Sequence, residues 1–179
     1  KFHSKRNHIA QFHKLYPDYA WKIIDPHTDI CAIEELLGQW IDSQGRSTTT
    51  ILQEKTMIER SLASYEALEL FGILLTVEGK TVAFAYGSKV NANTFCLHVE
   101  KADKHYEGAY AKINQLIAQS LPESIEYINR EEDMGLESLR KAKLSYYPDF
   151  LTEEYFSYDI NSTEAQIWEL WQTCFPEDD

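Results

Sequence analysis

Apolar residues recur at roughly helical spacing in Phe2, Ile9, Phe12 and Tyr16, which predicts a helix over residues 2–16 that Pro17 stops. Tyr19 to Ile24 reads as a strand ended by Asp25-Pro26. Thr28 or Asp29 then caps a helix whose apolar stripe is Ile30, Ile33, Leu37, Trp40 and Ile41, closed by Gln44-Gly45. Thr48 to Thr50 cap another, with Ile51, Ile58, Leu62 and Tyr65 on one side. Beyond it the pattern changes to dense apolar, β-branched runs. Leu70 to Val77 and Thr81 to Lys89 flank the turn residues Glu78-Gly79-Lys80, and Asn91 to Asn93 turn the chain into Phe95. Two such short turns imply consecutive antiparallel strands.

The pattern then alternates strand, polar turn and helix. One unit runs through Phe95 to Glu100, a loop ending in Glu107-Gly108, and an amphipathic segment from Ala109 to Leu121. The next runs through Ser124 to Ile128, the polar run Asn129 to Asp133, with Asp133 as helix N-cap, and a short helix ending near Lys143. Each unit points a helix N-terminus, with its unpaired N–H groups, beyond a strand end. Two such ends side by side make an anion-binding floor, provided the strands part near Val99 and Ile128. Glu154 to Asp159 reads as a late strand, and Thr163 begins a final helix with Ile167, Leu170, Trp171 and Cys174 inward.

At 179 residues and 44% hydrophobic, the chain fits one domain with a real core. It opens on Lys1-Phe2-His3 without Met and reads as cut from a longer polypeptide, with a partner domain in front. No apolar run approaches the roughly 20 residues of a membrane span, so a soluble, cytoplasmic protein is expected. Cys31, Cys96 and Cys174 are odd in number and far apart in apolar surroundings, which predicts buried, reduced thiols. A formal charge of −12 opposes bulk coating of nucleic acid. The charge is uneven, however: Lys1, Lys5, Arg6, Lys14 and Lys22 crowd the start, and no Lys or Arg follows Lys143. A local basic surface able to meet tRNA is therefore compatible with an acidic protein.

His3, His8 and His13 are five residues apart on the first helix and do not share a face. They make no compact metal site, and with no Cys/His metal spacing elsewhere no metal is assigned. Walker A, Rossmann and nucleophile-elbow motifs are absent.

The order strand, helix, helix, three strands, helix, strand, helix, strand is the element order of the GNAT acyltransferase fold. The run Asn129-Arg130-Glu131-Glu132-Asp133-Met134-Gly135-Leu136, followed by Leu139-Arg140-Lys141-Ala142-Lys143, Ser145-Tyr146 and Pro148, resembles the carboxy-terminal domain family of phosphatidylglycerol lysyltransferase-like proteins. Lys5-Arg6-Asn7-His8 with Phe12 fits the same family. The resemblance covers nearly the whole chain. It implies an α/β fold, a three-layer α/β/α arrangement around a splayed, mostly antiparallel sheet. It also implies that residues 1–18 are a helix connecting to a preceding GNAT-like domain and that 19–179 form the second of two tandem halves.

In acetyl-CoA-using GNATs a Q/R-x-x-G-x-G/A loop holds the diphosphate on backbone amides. The matching stretch here is His105-Tyr106-Glu107-Gly108-Ala109-Tyr110, so the resemblance assigns His105, Glu107, Gly108, Ala109 and Tyr110 to cofactor binding. Glu107 and Tyr110 both oppose close diphosphate contact, and Gly108 alone is equally compatible with a simple helix start. Aminoacyl-tRNA, the donor in lysyltransferase relatives, is the other candidate, and the acceptor would be a lipid or small molecule. Arg140 stands near where many GNATs place a Tyr acid, and an Arg cannot donate a proton usefully near neutral pH. Tyr146, about a turn further on, is the substitute acid, with core packing as its other use.

Asn129, Arg130, Arg140 and Lys143 are the candidate substrate contacts. Lys141 and Lys143 can equally serve the helix dipole. Glu132 is the candidate general base for an attacking amine, and Glu100 is the second choice. Two functions follow as expectations: a transferase moving an acyl or aminoacyl group to an amine or hydroxyl, or a non-catalytic GNAT-like module that supports a partner domain or binds a ligand.

Overall fold

The computed structural model describes residues 2–43, 49–133 and 135–152, together with Thr163 and Gln166. The chain forms two compact bodies, Lys1–Glu131 and Glu132–Asp179. The first begins with α1 (His3–Leu15), β1 (Ala20–Ile23), α2 (Ile30–Asp42) and α3 (Thr49–Ala63). It continues through β2 (Phe71–Val77), β3 (Lys80–Lys89), β4 (Thr94–Ala102), α4 (Ala109–Ser120) and β5 (Tyr127–Asn129). The second body contains α5 (Glu137–Leu144).

The strands lie in sequence order in one sheet, β1 to β4 antiparallel and β5 parallel to β4. Glu78 (φ 51) and Gly79 (φ 79) both take the left-handed conformation that a tight two-residue hairpin needs between Val77 and Lys80. A parallel partner for β4 requires a crossover, and α4 supplies it.

Side chains alternate between two faces. Ile73, Leu75, Ala85, Phe95 and Leu97 meet Phe12 of α1 and Ile113, Leu116 and Ile117 of α4. Leu74, Phe84, Tyr86 and Val99 meet Ile33, Leu36 and Leu37 of α2 and Ile58 and Leu62 of α3. Helices on both sides of the sheet give the expected three layers.

One irregularity changes that alternation. Tyr86 is opposite Val99 and Gly87 is opposite Leu97, so His98 is an extra residue on β4 with no counterpart on β3. Phe95 and Leu97 therefore face α4, whereas Val99 faces α2 and α3. Gly87 permits the bulge, because a Cβ there would lie 1.9 Å from the Cys96 carbonyl oxygen.

Several local expectations need correction. Asp29 is the N-cap residue of α2, but its side chain makes no capping bond. It accepts the Asp25 N–H at 2.9 Å and pairs with Lys22 at 2.6 Å, tying the loop to β1. Asp133 does not cap α5, which starts after Leu136; Gly135 at φ 75 adds a turn between them. Cys31 is exposed, on the polar side of α2 beside Glu34 and Glu35, while Cys96 is buried. The late strand and Cys174 lie outside the described residues, as does the final helix apart from its start. There, Gln166 N–H bonds Thr163 Oγ1 and Thr163 N–H bonds Gln166 Oε1, a reciprocal capping box.

Candidate functional site

β4 and β5 pair only over Thr94–Cys96 and Tyr127–Asn129. Past Cys96 and Asn129 the ladder ends, one residue later on β5 and three residues earlier on β4 than the sequence implied. The bulge at His98 falls where the strands separate, and each face of the parting carries its own polar pair.

On the α4 face, Arg130 Nη2 donates to Glu100 Oε1 at 3.3 Å, and Asn114 Nδ2 of α4 donates to Glu100 Oε2 at 2.6 Å. The Arg130 and Glu100 side chains are only 24% and 12% exposed. Lys5 of α1 belongs to the same charge group: burial lowers its pKa, Arg130 lowers it further and Glu100 opposes both. The Glu100 carboxylate is thus held by two donors on a covered face.

On the α2/α3 face, His98 Nδ1 lies 2.7 Å from Glu131 Oε1, and His98 Nε2 lies 2.8 Å from Ser88 Oγ. The Cys96 thiol reaches the same Glu131 oxygen at 3.4 Å. Glu131 has φ 56, uncommon for a residue with a Cβ, and its N–H bonds Asn129 Oδ1 at 2.8 Å. That turn aims its carboxylate back at β4. A cavity of about 380 Å³ opens here, with Tyr86, Ser88, His98 and Glu131 facing Met57, Leu68 and Leu70. Burial pushes the Tyr86 hydroxyl up to about 12 against the opposing hydrogen bond with Ser61 at 2.6 Å, so it stays neutral.

The loop before α4 has another arrangement. Gly108 takes φ 82 at the helix start, and a Cβ on it would lie 2.3 Å from the His8 carbonyl oxygen of α1. Helix α1 therefore approaches the first turn of α4. Phe12 and Tyr16 hold it there, Tyr16 with Tyr106 at 5.2 Å between ring centroids. Ala109 is buried. The N–H groups of His105, Tyr106 and Ala109 are spent on Asp103 Oδ1, Asp103 O and Tyr106 O. Burial raises the Asp103 carboxyl pKa, but bonds from His105 and the charge of Lys80 outweigh it, so the pKa falls and a negative charge sits in the loop. Glu107 is exposed. Burial raises the Tyr110 pKa, against hydrogen bonds to Ala102 and Trp40.

The remaining sequence candidates belong to the second body. Lys143 Nζ donates to the Glu132 carbonyl oxygen, and Arg140 Nη2 donates to Asp133 Oδ1 at 3.2 Å. Tyr146 N–H caps onto Lys143 O at 3.1 Å. Among the first body's candidates, the fold brings Glu100 and Arg130 together, and Tyr110 lies near enough to Glu100 for that carboxylate's charge to help raise its pKa.

Sequence reasoning missed Cys96, His98 and Glu131. The available signals were Gly87 inside a strand, which marks a bulge, and the i, i+2 spacing of Cys96 and His98, which puts both on one strand face.

The family profile described as phosphatidylglycerol lysyltransferase, C-terminal, matches residues 1–158. The chain belongs to this family. A conserved protein of unknown function from Bacteroides thetaiotaomicron, itself a solved structure, shares 44% identity at a TM-score of 0.77 over 84% of this chain and 51% of that one. An uncharacterized protein from Mycoplasmoides gallisepticum is 26% identical over 84% of this chain and 48% of its own length. The family member described here thus spans about half the length of these two relatives. A chain described as a possible acetyltransferase from Clostridium difficile superposes with a TM-score of 0.57 at 12% identity, covering 80% of this chain and 99% of that one. That likeness shows the GNAT-like α/β fold. Family and fold together make this a GNAT-like domain of that family. No described helix is long and apolar enough to cross a membrane.

Proposed function

We propose that this domain moves an aminoacyl or acyl group to an amine or hydroxyl acceptor, at the parting of β4 and β5. The supporting observation is the end of the parallel ladder beside the His98 bulge, where the strand ends adjoin an acceptor-sized cavity. Polar groups on its floor and the apolar Met57, Leu68 and Leu70 on its wall suit an acceptor with an apolar body and a hydroxyl or amine head. A lipid such as the one in the family's description fits that chemistry.

Aminoacyl-tRNA is favoured over acyl-CoA as the donor. The 105–110 loop spends three amides internally, holds a carboxylate and is approached by α1, all of which oppose a diphosphate. In the transfer, the acceptor nitrogen or oxygen bonds to the donor acyl carbon while the ester bond to ribose breaks. Backbone N–H groups at the parted strands polarise the carbonyl. Glu132 takes the acceptor's proton, which passes to the leaving hydroxyl; Glu100, already held by Arg130 and Asn114, is the second candidate. The basic residues of α1 in the first body, and separately Lys141 and Lys143 in the second, are the candidate contacts to tRNA phosphates.

The test is to incubate the full-length protein with labelled aminoacyl-tRNA or labelled acetyl-CoA and cell lipids. Label should pass from the aminoacyl donor, and tRNA binding should weaken as salt rises. Transfer from neither donor removes the reading. The engagement of Glu100 favours a second reading, a non-catalytic module that supports a partner domain. A folded Glu132→Ala protein that has lost transfer contradicts it.

A further inference from the structure

We propose that Cys96, His98 and Glu131 form a binding site for a divalent transition-metal ion of the zinc type, at the floor of the cavity beside the bulge. Their ligand atoms all lie within 4.8 Å of one another, one each from sulfur, imidazole nitrogen and carboxylate oxygen. Zinc bonds to these three donors imply separations of about 3.3–3.6 Å between ligand atoms in a tetrahedral site. The Cys96 sulfur and the Glu131 oxygen are already 3.4 Å apart. The His98 nitrogen stands closer to that oxygen, 2.7 Å, as a hydrogen bond requires, and shifts of under about one ångström open that edge.

The supports are those of a metal site. His98 turns its other nitrogen to Ser88 Oγ at 2.8 Å, which fixes the ring and lets Nε2 carry the proton while Nδ1 binds the ion. Cys96 is pinned by its pairing with Asn129, and Asn129 Oδ1 holds the Glu131 backbone. A thiolate with an imidazole selects zinc or cobalt over magnesium or calcium. Ion binding displaces the thiol proton to solvent, so affinity falls as pH falls. The fourth coordination position opens to the cavity that His98 and Glu131 line, where water or an acceptor's amine or hydroxyl can occupy it. The ion would also clip β4 to the exit of β5.

The inference does not depend on the transferase reading, because binding is read without turnover. Cobalt(II) is added to full-length protein stripped by chelator, and absorbance is followed. One equivalent should give a near-ultraviolet sulfur-to-cobalt band and visible d–d bands, both removed by added zinc. Cys96→Ser should abolish the sulfur band, and His98→Gln and Glu131→Gln should each weaken binding by tenfold or more. X-ray absorption of zinc-loaded wild-type protein should count one sulfur at about 2.3 Å, a readout that does not depend on the variants folding. No cobalt bands, bands that persist in Cys96→Ser, or a zinc shell without sulfur would each overturn the site.

Discussion

The two faces of the β4–β5 parting are built from neighbouring residues and behave as opposites. On the α4 face, Arg130, Glu100 and Asn114 close on one another under helix cover. On the α2/α3 face, Glu131, His98 and Cys96 converge at the wall of an open cavity. Arg130 and Glu131 are adjacent in sequence, just past the end of β5, and the left-handed turn at Glu131 sends the two side chains to opposite faces. A largely buried ion pair is costly to break, so the first face holds the strand ends together. The second pair is partly wet and contributes little to stability, which leaves its groups available for a ligand.

The sharpest way to break the comparison is to remove the bulge that sorts residues between faces. Gly87→Ala would set a Cβ 1.9 Å from a backbone oxygen, which cannot give way as a flexible side chain can. We expect a loss of about 3 kcal/mol or more in urea denaturation, together with loss of metal binding. An unchanged midpoint would mean that the bulge does not organise the strand ends.

Next in size is the contrast between adjacent residues. Arg130→Ala should cost about 2 kcal/mol, because Glu100 is left largely buried without its cation. Glu131→Gln should stay within about 0.5 kcal/mol. Equal effects in denaturation curves would erase the distinction between the faces.

Asp29 extends the test to α2, on the cavity side of the sheet. Burial works against its charge, but bonds from Lys22 and the Asp25 N–H prevail and hold its carboxyl below the usual range. A depressed folded pKa contributes stability above the unfolded value and loses it as pH falls through the folded one. Asp29→Asn should therefore cost about 1.5 kcal/mol at pH 7, with the difference from wild type shrinking below about pH 4. A pH-independent difference would show that the charge is not what matters.

The smallest expected effect has the opposite sign. Tyr65 and Tyr86 are both buried on this face, but Tyr86 shares a bond with Ser61, whereas the Tyr65 hydroxyl has no hydrogen-bond partner among the described residues. Tyr65→Phe should be neutral or stabilise by up to about 1 kcal/mol, seen as a raised thermal midpoint. Tyr86→Phe removes the buried bond to Ser61, whose hydroxyl keeps only its bond to the Ile58 carbonyl oxygen, and should destabilise.

Local periodicity was enough to place the strands, the two-residue hairpin at Glu78-Gly79 and the α4 crossover, because apolar spacing reflects which face each element buries. The polar run from Asn129 carried the family. Capping at Asp29 and Asp133 misled, since a carboxylate beside a helix start can take a lysine, an arginine or a nearer N–H instead.

The chain alone determined the element order, the family and the residue types near each strand end. Only the tertiary structure decided which of them meet. An extra residue at His98 reversed the facing of the rest of β4, and a β5 exit 33 residues away supplied Glu131 to a pair begun by Cys96 and His98. Helix α1 likewise reached Gly108 from the other end of the body. Such meetings depend on register and long-range packing, which alternation within a single segment does not encode.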